Sequence, residues 1–120
     1  MVDFLNGKED AIQLFTQLAD EGLAISIITY AELYEGALGS RQSERRLQQL
    51  AELVRSLDVL PIDFEVAHQF ATIRRQLRSS GQPIPDADSF IAATALRHDL
   101  TLISRDAHFE RIASLKRRQP

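Results

Sequence analysis

The sequence contains no cysteine. This absence excludes disulfides, thiolate zinc sites and cysteine nucleophiles. Histidine is also scarce: His68, His98 and His108 do not have the spacing of a histidine metal site, so each is interpreted as a surface or helix-end residue. No apolar run approaches the length of a membrane span, and the chain does not start with a basic segment followed by an apolar stretch. We therefore expect a cytoplasmic protein that does not enter a membrane.

Positive charge is in deficit. The chain carries 14 lysines and arginines against 17 acidic residues, a net charge of −3, whereas sequence-independent nucleic-acid binding needs an excess of basic side chains. Twelve of the 14 are arginines, which suit bidentate contacts with phosphate. Ten of the 14 basic residues fall into three clusters: Arg41, Arg45, Arg46 and Arg55; Arg74, Arg75 and Arg78; and Lys116, Arg117 and Arg118. A basic rim around an acidic centre and ordinary solvated helix faces are both open interpretations.

Short apolar segments alternate with amphipathic ones, in a chain of 120 residues with 44% hydrophobic residues. This length predicts a single domain, residues 1–120, with one hydrophobic core. The predicted strands are 23–28, 59–61 and 100–104, and the predicted helices are 8–21, 30–37, 43–57, 64–78, 86–97 and a short helix ending at Ile112. We expect Thr29 to cap the helix 30–37. The alternation predicts an α/β fold, with a parallel sheet between helices.

Acidic residues follow the predicted strands. Asp86 and Asp88 open the helix 86–97, where an acid is typical of a helix cap and is also suited to bind a divalent cation. Glu32 and Asp106 come soon after the strands 23–28 and 100–104, and the carboxyl ends of parallel strands meet at one edge of a sheet. Helix capping can account for a single acid of this kind, but it accounts less easily for several acids that converge on one edge. Because like charges repel, a cation should hold them, and Mg²⁺ or Mn²⁺ is favoured.

Three segments give the chain a family resemblance: ISIITYAELYEGA (25–37), PDADSFIAATAL (85–96) and LTLISRDAHFERI (100–112). In order and spacing they resemble the PIN-domain family, most closely the VapC-type toxins of bacterial toxin–antitoxin pairs, over essentially the whole chain. The resemblance implies a PIN-like three-layer α/β/α fold with a short parallel sheet. It also implies a Mg²⁺- or Mn²⁺-dependent endoribonuclease that hydrolyses RNA phosphodiester bonds.

The resemblance assigns roles to individual positions. It implies that Glu32, Asp88 and Asp106 bind the metal, with Asp86 as a less regular neighbour that supports them. It also implies supporting roles for Ser104, whose hydroxyl would bond a ligand or a water, and for Thr29.

The resemblance further implies partners. These are a cognate VapB-type antitoxin, an RNA substrate and a second copy in a homodimer, for which the apolar side chains of the helix 43–57 are candidates. The arginines expected to contact RNA or the antitoxin are Arg41, Arg45, Arg74 and Arg75.

The start of the chain departs from the family pattern. Family members begin with an apolar strand that ends in Asp-Thr-Asn or Asp-Ser-Ser, whereas Met1, Val2 and Asp3 match the residues after that motif. We therefore expect the chain to be truncated at its N-terminus relative to the family, and to lack the first strand and one metal-binding Asp. Three explanations for the missing strand are open. The start of the gene is misassigned, the gene is decayed, or the sheet closes up so that strand 23–28 pairs directly with strand 100–104.

Two other functions stay open at this point. One is a catalytically inactive PIN remnant that serves only as an antitoxin-binding or dimerisation module. The other is an unrelated small α/β binding domain whose acids merely cap helices.

Overall fold

The computed structural model describes residues 2–3, 15–18 and 22–119. The strands are β1 (Val2–Asp3), β2 (Ala24–Ser26), β3 (Asp58–Leu60), β4 (Leu102–Ser104) and β5 (Arg117–Arg118). The helices are α1 (Ile27–Leu38), α2 (Ser43–Leu53), α3 (Phe64–Ser79) and α4 (Asp86–Arg97), followed by the 3-10 helix Ala107–Arg111. Residues 15–18 are helical, and the rest of the predicted helix 8–21 lies outside the described residues. None of the described helices is long and apolar enough to cross a membrane.

All the strand pairs are parallel. β4 lies between β1 and β5, and β2 pairs with β3. In the described residues the strands form a three-stranded and a two-stranded sheet, with β1 lying beside β2. β1 is a short strand where the sequence predicts none. The direct pairing of strand 23–28 with strand 100–104 is not formed in the described part of the chain, because β4 already has a neighbour on each side.

The central strand β4 separates two apolar cores. Leu102 belongs to a cluster formed with α3, α4 and the 3-10 helix, whereas Ile103 belongs to a cluster formed with α1, α2 and Ile25. Adjacent residues of a strand point to opposite faces of the sheet. Helices therefore cover both faces, and the predicted three-layer α/β/α architecture is confirmed.

The helices α3 and α4 pack side by side and are joined by the loop 80–85. Three contacts show that they run antiparallel: Arg97 meets Glu65 at 2.9 Å, the ring of Phe90 stacks on Phe70 with centroids 3.8 Å apart, and Arg74 meets Asp86 at 3.0 Å. The C-terminal half of α3 therefore lies beside the first turn of α4.

The start of α1 differs from the prediction. Thr29 was expected to cap this helix, but Ser26 is the cap: its hydroxyl oxygen accepts the backbone N–H of Thr29 at 2.9 Å. The Ser26 hydroxyl also donates to the Thr29 side chain at 3.0 Å. A capping hydroxyl satisfies an N–H two or three residues further on, so the helix begins three residues earlier and the strand is shorter than predicted.

The helix α2 does not present the apolar face expected of a dimer contact. Leu50 and Leu53 are buried, and Val54 and Leu57 pack against the same core. The large apolar side chains that the described residues expose lie elsewhere: Ile27, Tyr34, Leu38, Ile62 and Phe64. These side chains complete the chain's own core, and a homodimer stays a prediction.

Candidate active site

Asp88 is a buried acid in the first turn of α4, with only 3% of its surface exposed. The residues behind it, Ile91, Ala92 and Ala93, are fully buried and fix the helix against the sheet. An isolated carboxylate is costly to bury. At this place the partial positive charge of the helix N-terminus reduces the cost, and the carboxylate also has a hydrogen-bond partner.

That partner comes from the segment after β4. Asp106 caps the 3-10 helix, because its Oδ1 accepts the backbone N–H of His108 at 2.9 Å. The imidazole Nδ1 of His108 then donates to Oδ2 of Asp88 at 2.9 Å and lies 3.3 Å from Oδ1 of Asp106. The backbone N–H of Asp106 donates to the hydroxyl of buried Ser104 at 3.0 Å. His108 thus holds Asp106 by its main chain and Asp88 by its side chain.

The carboxyl of Glu32 lies near Asp88 and comes from a different helix. It lies in the second turn of α1, which packs against α4. Its Oε1 is buried and has no hydrogen-bond partner in the structure. Burial raises the pKa of the Glu32 carboxyl above its ordinary value of 4.5, and the nearby charge of Asp88 raises it further.

The pKa of Asp88 is raised as well. Burial is the main cause, and the charge of Asp106 adds to it, whereas the hydrogen bond from His108 and the charge of that ring act in the opposite direction. Negative charges from separate segments thus disfavour the ionisation of Glu32 and of Asp88. Such crowding is the electrostatic signature of a functional site or of a cation site.

The donor atoms fit a divalent cation. An oxygen of Asp88, an oxygen of Asp106 and a ring nitrogen of His108 lie within 4.8 Å of one another. An ion bound at 2.0–2.6 Å can bridge the two carboxylates while His108 keeps its hydrogen bond to Asp88. The unpartnered Oε1 of Glu32 supplies a further buried oxygen. Carboxylate oxygens are the ligands that Mg²⁺ and Mn²⁺ prefer.

The structure brings together three of the predicted site residues: Glu32, Asp88 and Asp106. Asp86 is not among them, since it is exposed and forms a salt bridge with Arg74 at 3.0 Å. Ser104 lies under Asp106, and Thr29 is buried at the start of α1.

The four predicted arginines lie in two places. Arg74 and Arg75 are on α3 beside the site. Arg41 precedes α2, and Arg45 lies on it and donates to Gln42 at 3.4 Å.

Sequence reasoning missed His108, which was interpreted as a surface or helix-end residue. The interpretation rested on spacing between histidines, whereas this ring meets an acid 20 positions away in the chain. The available signal was its place two residues after Asp106, where a tight helical turn folds the chain back on the capping acid.

Comparison with known proteins identifies the family of the chain. The family model described as PIN domain matches residues 1–115, so the chain belongs to the PIN-domain family. Among curated proteins, it is 34% identical over 103 residues to ribonuclease VapC5 of Mycobacterium tuberculosis. This match covers 84% of this chain and 76% of that protein.

Two solved structures indicate which type of PIN-domain protein the chain resembles. VapBC-1 from nontypeable Haemophilus influenzae superposes with a TM-score of 0.84 and 27% identity, over 99% of this chain and 96% of that one. VapBC-5 from Mycobacterium tuberculosis, a member of the VapBC family of toxin–antitoxin systems, has a TM-score of 0.67 and 32% identity, over 79% of both chains. Within the PIN-domain family, the chain is therefore of the VapC type.

Proposed function

We propose that this protein is a divalent-cation-dependent endoribonuclease toxin that is neutralised by a VapB-type antitoxin. The observation that carries the proposal is the convergence of Glu32 and Asp106, from separate segments, on the buried carboxyl of Asp88. The similarity to a VapC ribonuclease and to a toxin–antitoxin structure supports both the reaction and the partner.

We propose that the three acids hold one or two Mg²⁺ or Mn²⁺ ions. When bound, such an ion lowers the pKa of an attacking water and neutralises charge on the scissile phosphate. The protein supplies the rigid frame: α4 fixes Asp88, the 3-10 turn fixes Asp106, and α1 presents Glu32. Asp86 stands outside this set and acts through its salt bridge with Arg74.

A toxin of this kind acts on cellular RNA, so we propose a cytoplasmic location. A homodimer remains a prediction that the family resemblance supports.

The proposal is tested with purified protein and labelled RNA, in Mn²⁺, in Mg²⁺ and in EDTA. We expect cleavage that needs the cation and falls to background in Asp88→Asn, which keeps the side-chain shape but removes a ligand charge. Expression of the wild type in a bacterial host should arrest growth, and expression of Asp88→Asn should not.

The matched control is Asp99→Asn. Asp99 is exposed, pairs with Lys116 at 2.9 Å, and has a positive φ of 52°, a conformation that asparagine tolerates well. This variant should cleave like the wild type. A folded wild-type chain that binds an antitoxin but never cuts RNA would instead establish the inactive-remnant function, and cleavage by Asp88→Asn would refute the site.

A further inference from the structure

One face of α3 carries a row of arginines. Arg74, Arg75 and Arg78 line an open concavity of about 370 Å³ together with Phe70, Ala71 and Ser79. Positions 71, 74, 75 and 78 are three or four residues apart, so they share one side of the helix.

This arginine face adjoins the candidate active site. The antiparallel packing sets the C-terminal half of α3 beside the first turn of α4, and Nε of Arg74 bonds Oδ1 of Asp86 at 3.0 Å. Asp86 lies two residues before Asp88. A fourth arginine, Arg111, donates to the carbonyl of Pro83 at 2.8 Å, in the loop between α3 and α4.

The charge of this face is not balanced locally. Arg75 and Arg78 are exposed, and no carboxylate pairs with either of them in the described part of the chain. The protein as a whole has a net charge of −3, so these cations are a local feature and not the consequence of a basic composition. A local positive field beside a cluster of acids can draw a polyanion to the acids despite the overall charge.

The chemistry of the face fits a nucleic-acid strand. Guanidinium groups bind phosphate oxygens in a bidentate way, and Arg74 and Arg78 stand about 6 Å apart along the helix axis. Phe70, one face of whose ring stacks on Phe90, borders the same concavity with the rest of its ring, and the volume of the concavity lies in the range of small-molecule sites. Basic side chains combined with an aromatic ring are the usual features of single-strand binding.

We infer that the arginine face of α3 binds the backbone of single-stranded RNA and guides the strand to the acids at the start of α4. The inference rests on the proposed function and adds the surface that binds its substrate. RNA is favoured over an acidic peptide because the guanidinium groups line a concavity on the helix that packs against α4, which carries Asp88 of the proposed RNA-cleaving site.

The test measures binding of a short fluorescein-labelled single-stranded RNA by fluorescence anisotropy, in EDTA so that no cleavage occurs. The double variant Arg75→Gln/Arg78→Gln should bind about 100-fold more weakly, because two contacts are lost and each charge-assisted hydrogen bond to phosphate contributes roughly tenfold. Its plot of log K against log salt should also become shallower by about 1.4, since each lost phosphate contact removes about 0.7. Arg74 is left in place because it holds Asp86.

The matched control is Arg55→Gln/Arg117→Gln, which removes the same charge from two exposed positions outside α3. It should keep wild-type affinity and salt dependence. Equal losses in the two double variants would overturn the inference, since they would show general electrostatic attraction only. Poly-glutamate that binds as tightly as RNA, and loses affinity in Arg75→Gln/Arg78→Gln, would reassign the face to an acidic protein partner.

The binding result is separable from the cleavage result. Asp88→Asn should bind RNA like the wild type and fail to cut it, so lost cleavage with intact binding leaves the inference standing. Wild-type cleavage of RNA that is unaffected by Arg75→Gln/Arg78→Gln, together with unchanged binding, would refute the arginine face and leave the proposed function in place. Circular dichroism of each variant confirms that α3 is intact.

Discussion

At the scale of single residues, the surroundings of Glu32 disfavour its ionised form. Its pKa is raised by burial and by Asp88. A carboxyl whose pKa is higher in the folded than in the unfolded state stabilises the fold below the unfolded pKa, and this contribution is lost as the pH rises through the folded pKa. Ionisation of Glu32 therefore destabilises the metal-free protein near neutral pH.

We predict that Glu32→Gln raises the melting temperature of the metal-free protein, by an amount that grows as the pH is raised above 4.5. Thermal denaturation in EDTA between acid and neutral pH measures this. The control Glu52→Gln, at an exposed position of α2, should show no such trend. A Glu32→Gln advantage that is constant with pH, or absent, would show that Glu32 is not destabilised by ionisation.

His108 is the second residue whose role is local and testable. Its ring orients one oxygen of Asp88 through the 2.9 Å hydrogen bond, and loss of such an outer partner of a metal ligand typically lowers affinity about 10–100-fold. We predict that His108→Leu weakens Mn²⁺ binding by this factor, measured by calorimetry. The bond between the Asp106 carboxylate and the main chain at 108 does not need the ring.

The conservative variant His108→Asn separates orientation from mere space filling. The amide nitrogen of asparagine can take the place of Nδ1 and donate to Asp88, so Mn²⁺ affinity should largely return. Equal affinity in His108→Leu and the wild type would show that the hydrogen bond does not matter to the site.

At the scale of elements, the start of α3 depends on one side chain. Oδ1 of Asp63 accepts the N–H of Val66 at 2.8 Å. This hydrogen bond holds the pKa of Asp63 below its usual 3.8, and the charge of Arg97 lowers it further. A carboxyl with a lowered pKa stabilises the fold above its unfolded pKa, and the contribution is lost as the pH falls through the folded pKa.

We predict that Asp63→Ala lowers the melting temperature at pH 7, whereas Asp63→Ser retains most of the stability because a serine hydroxyl also caps a helix. Below pH 3.8 the difference between the wild type and Asp63→Ser should shrink, since the wild-type carboxylate is being protonated. Arg97 keeps its contact with Glu65 in both variants. Equal melting temperatures for the alanine and serine variants would show that the cap does not stabilise α3.

Element boundaries were predictable where the signal is local. Helices α3 and α4 occur where the apolar periodicity places them, and α4 has the predicted bounds. The predicted helix 43–57 ends earlier, at Leu53, and β5 was not predicted at all. A two-residue strand made of Arg117 and Arg118 has no apolar pattern, so only its pairing with β4 reveals it.

At the scale of the whole molecule, the candidate site brings together residues that are far apart in the sequence. Glu32 comes from one side of the sheet edge, and Asp88 and Asp106 come from segments more than 50 residues further on. A cation bound to all three would hold these segments together only in the folded state. Ligand binding to the folded state alone stabilises it against unfolding.

We predict that Mn²⁺ at 100 times its dissociation constant raises the free energy of unfolding by about 2.7 kcal/mol. Urea denaturation with and without Mn²⁺ measures the increase, which should vanish in Asp88→Asn. An equal increase in that variant would place the bound cation elsewhere on the protein.

The sequence by itself determined the segments and the family: the periodicity of α3 and α4, the alternation of strands and helices, and the three motifs with Glu32, Asp88 and Asp106. These features are encoded by residues close together in the chain, where backbone geometry and capping act locally. Tertiary structure alone decided that His108 holds Asp88, that Arg74 pairs with Asp86, and that β4 lies between two strands. Those contacts join segments far apart in sequence, so packing and strand register create them, and no local pattern records them.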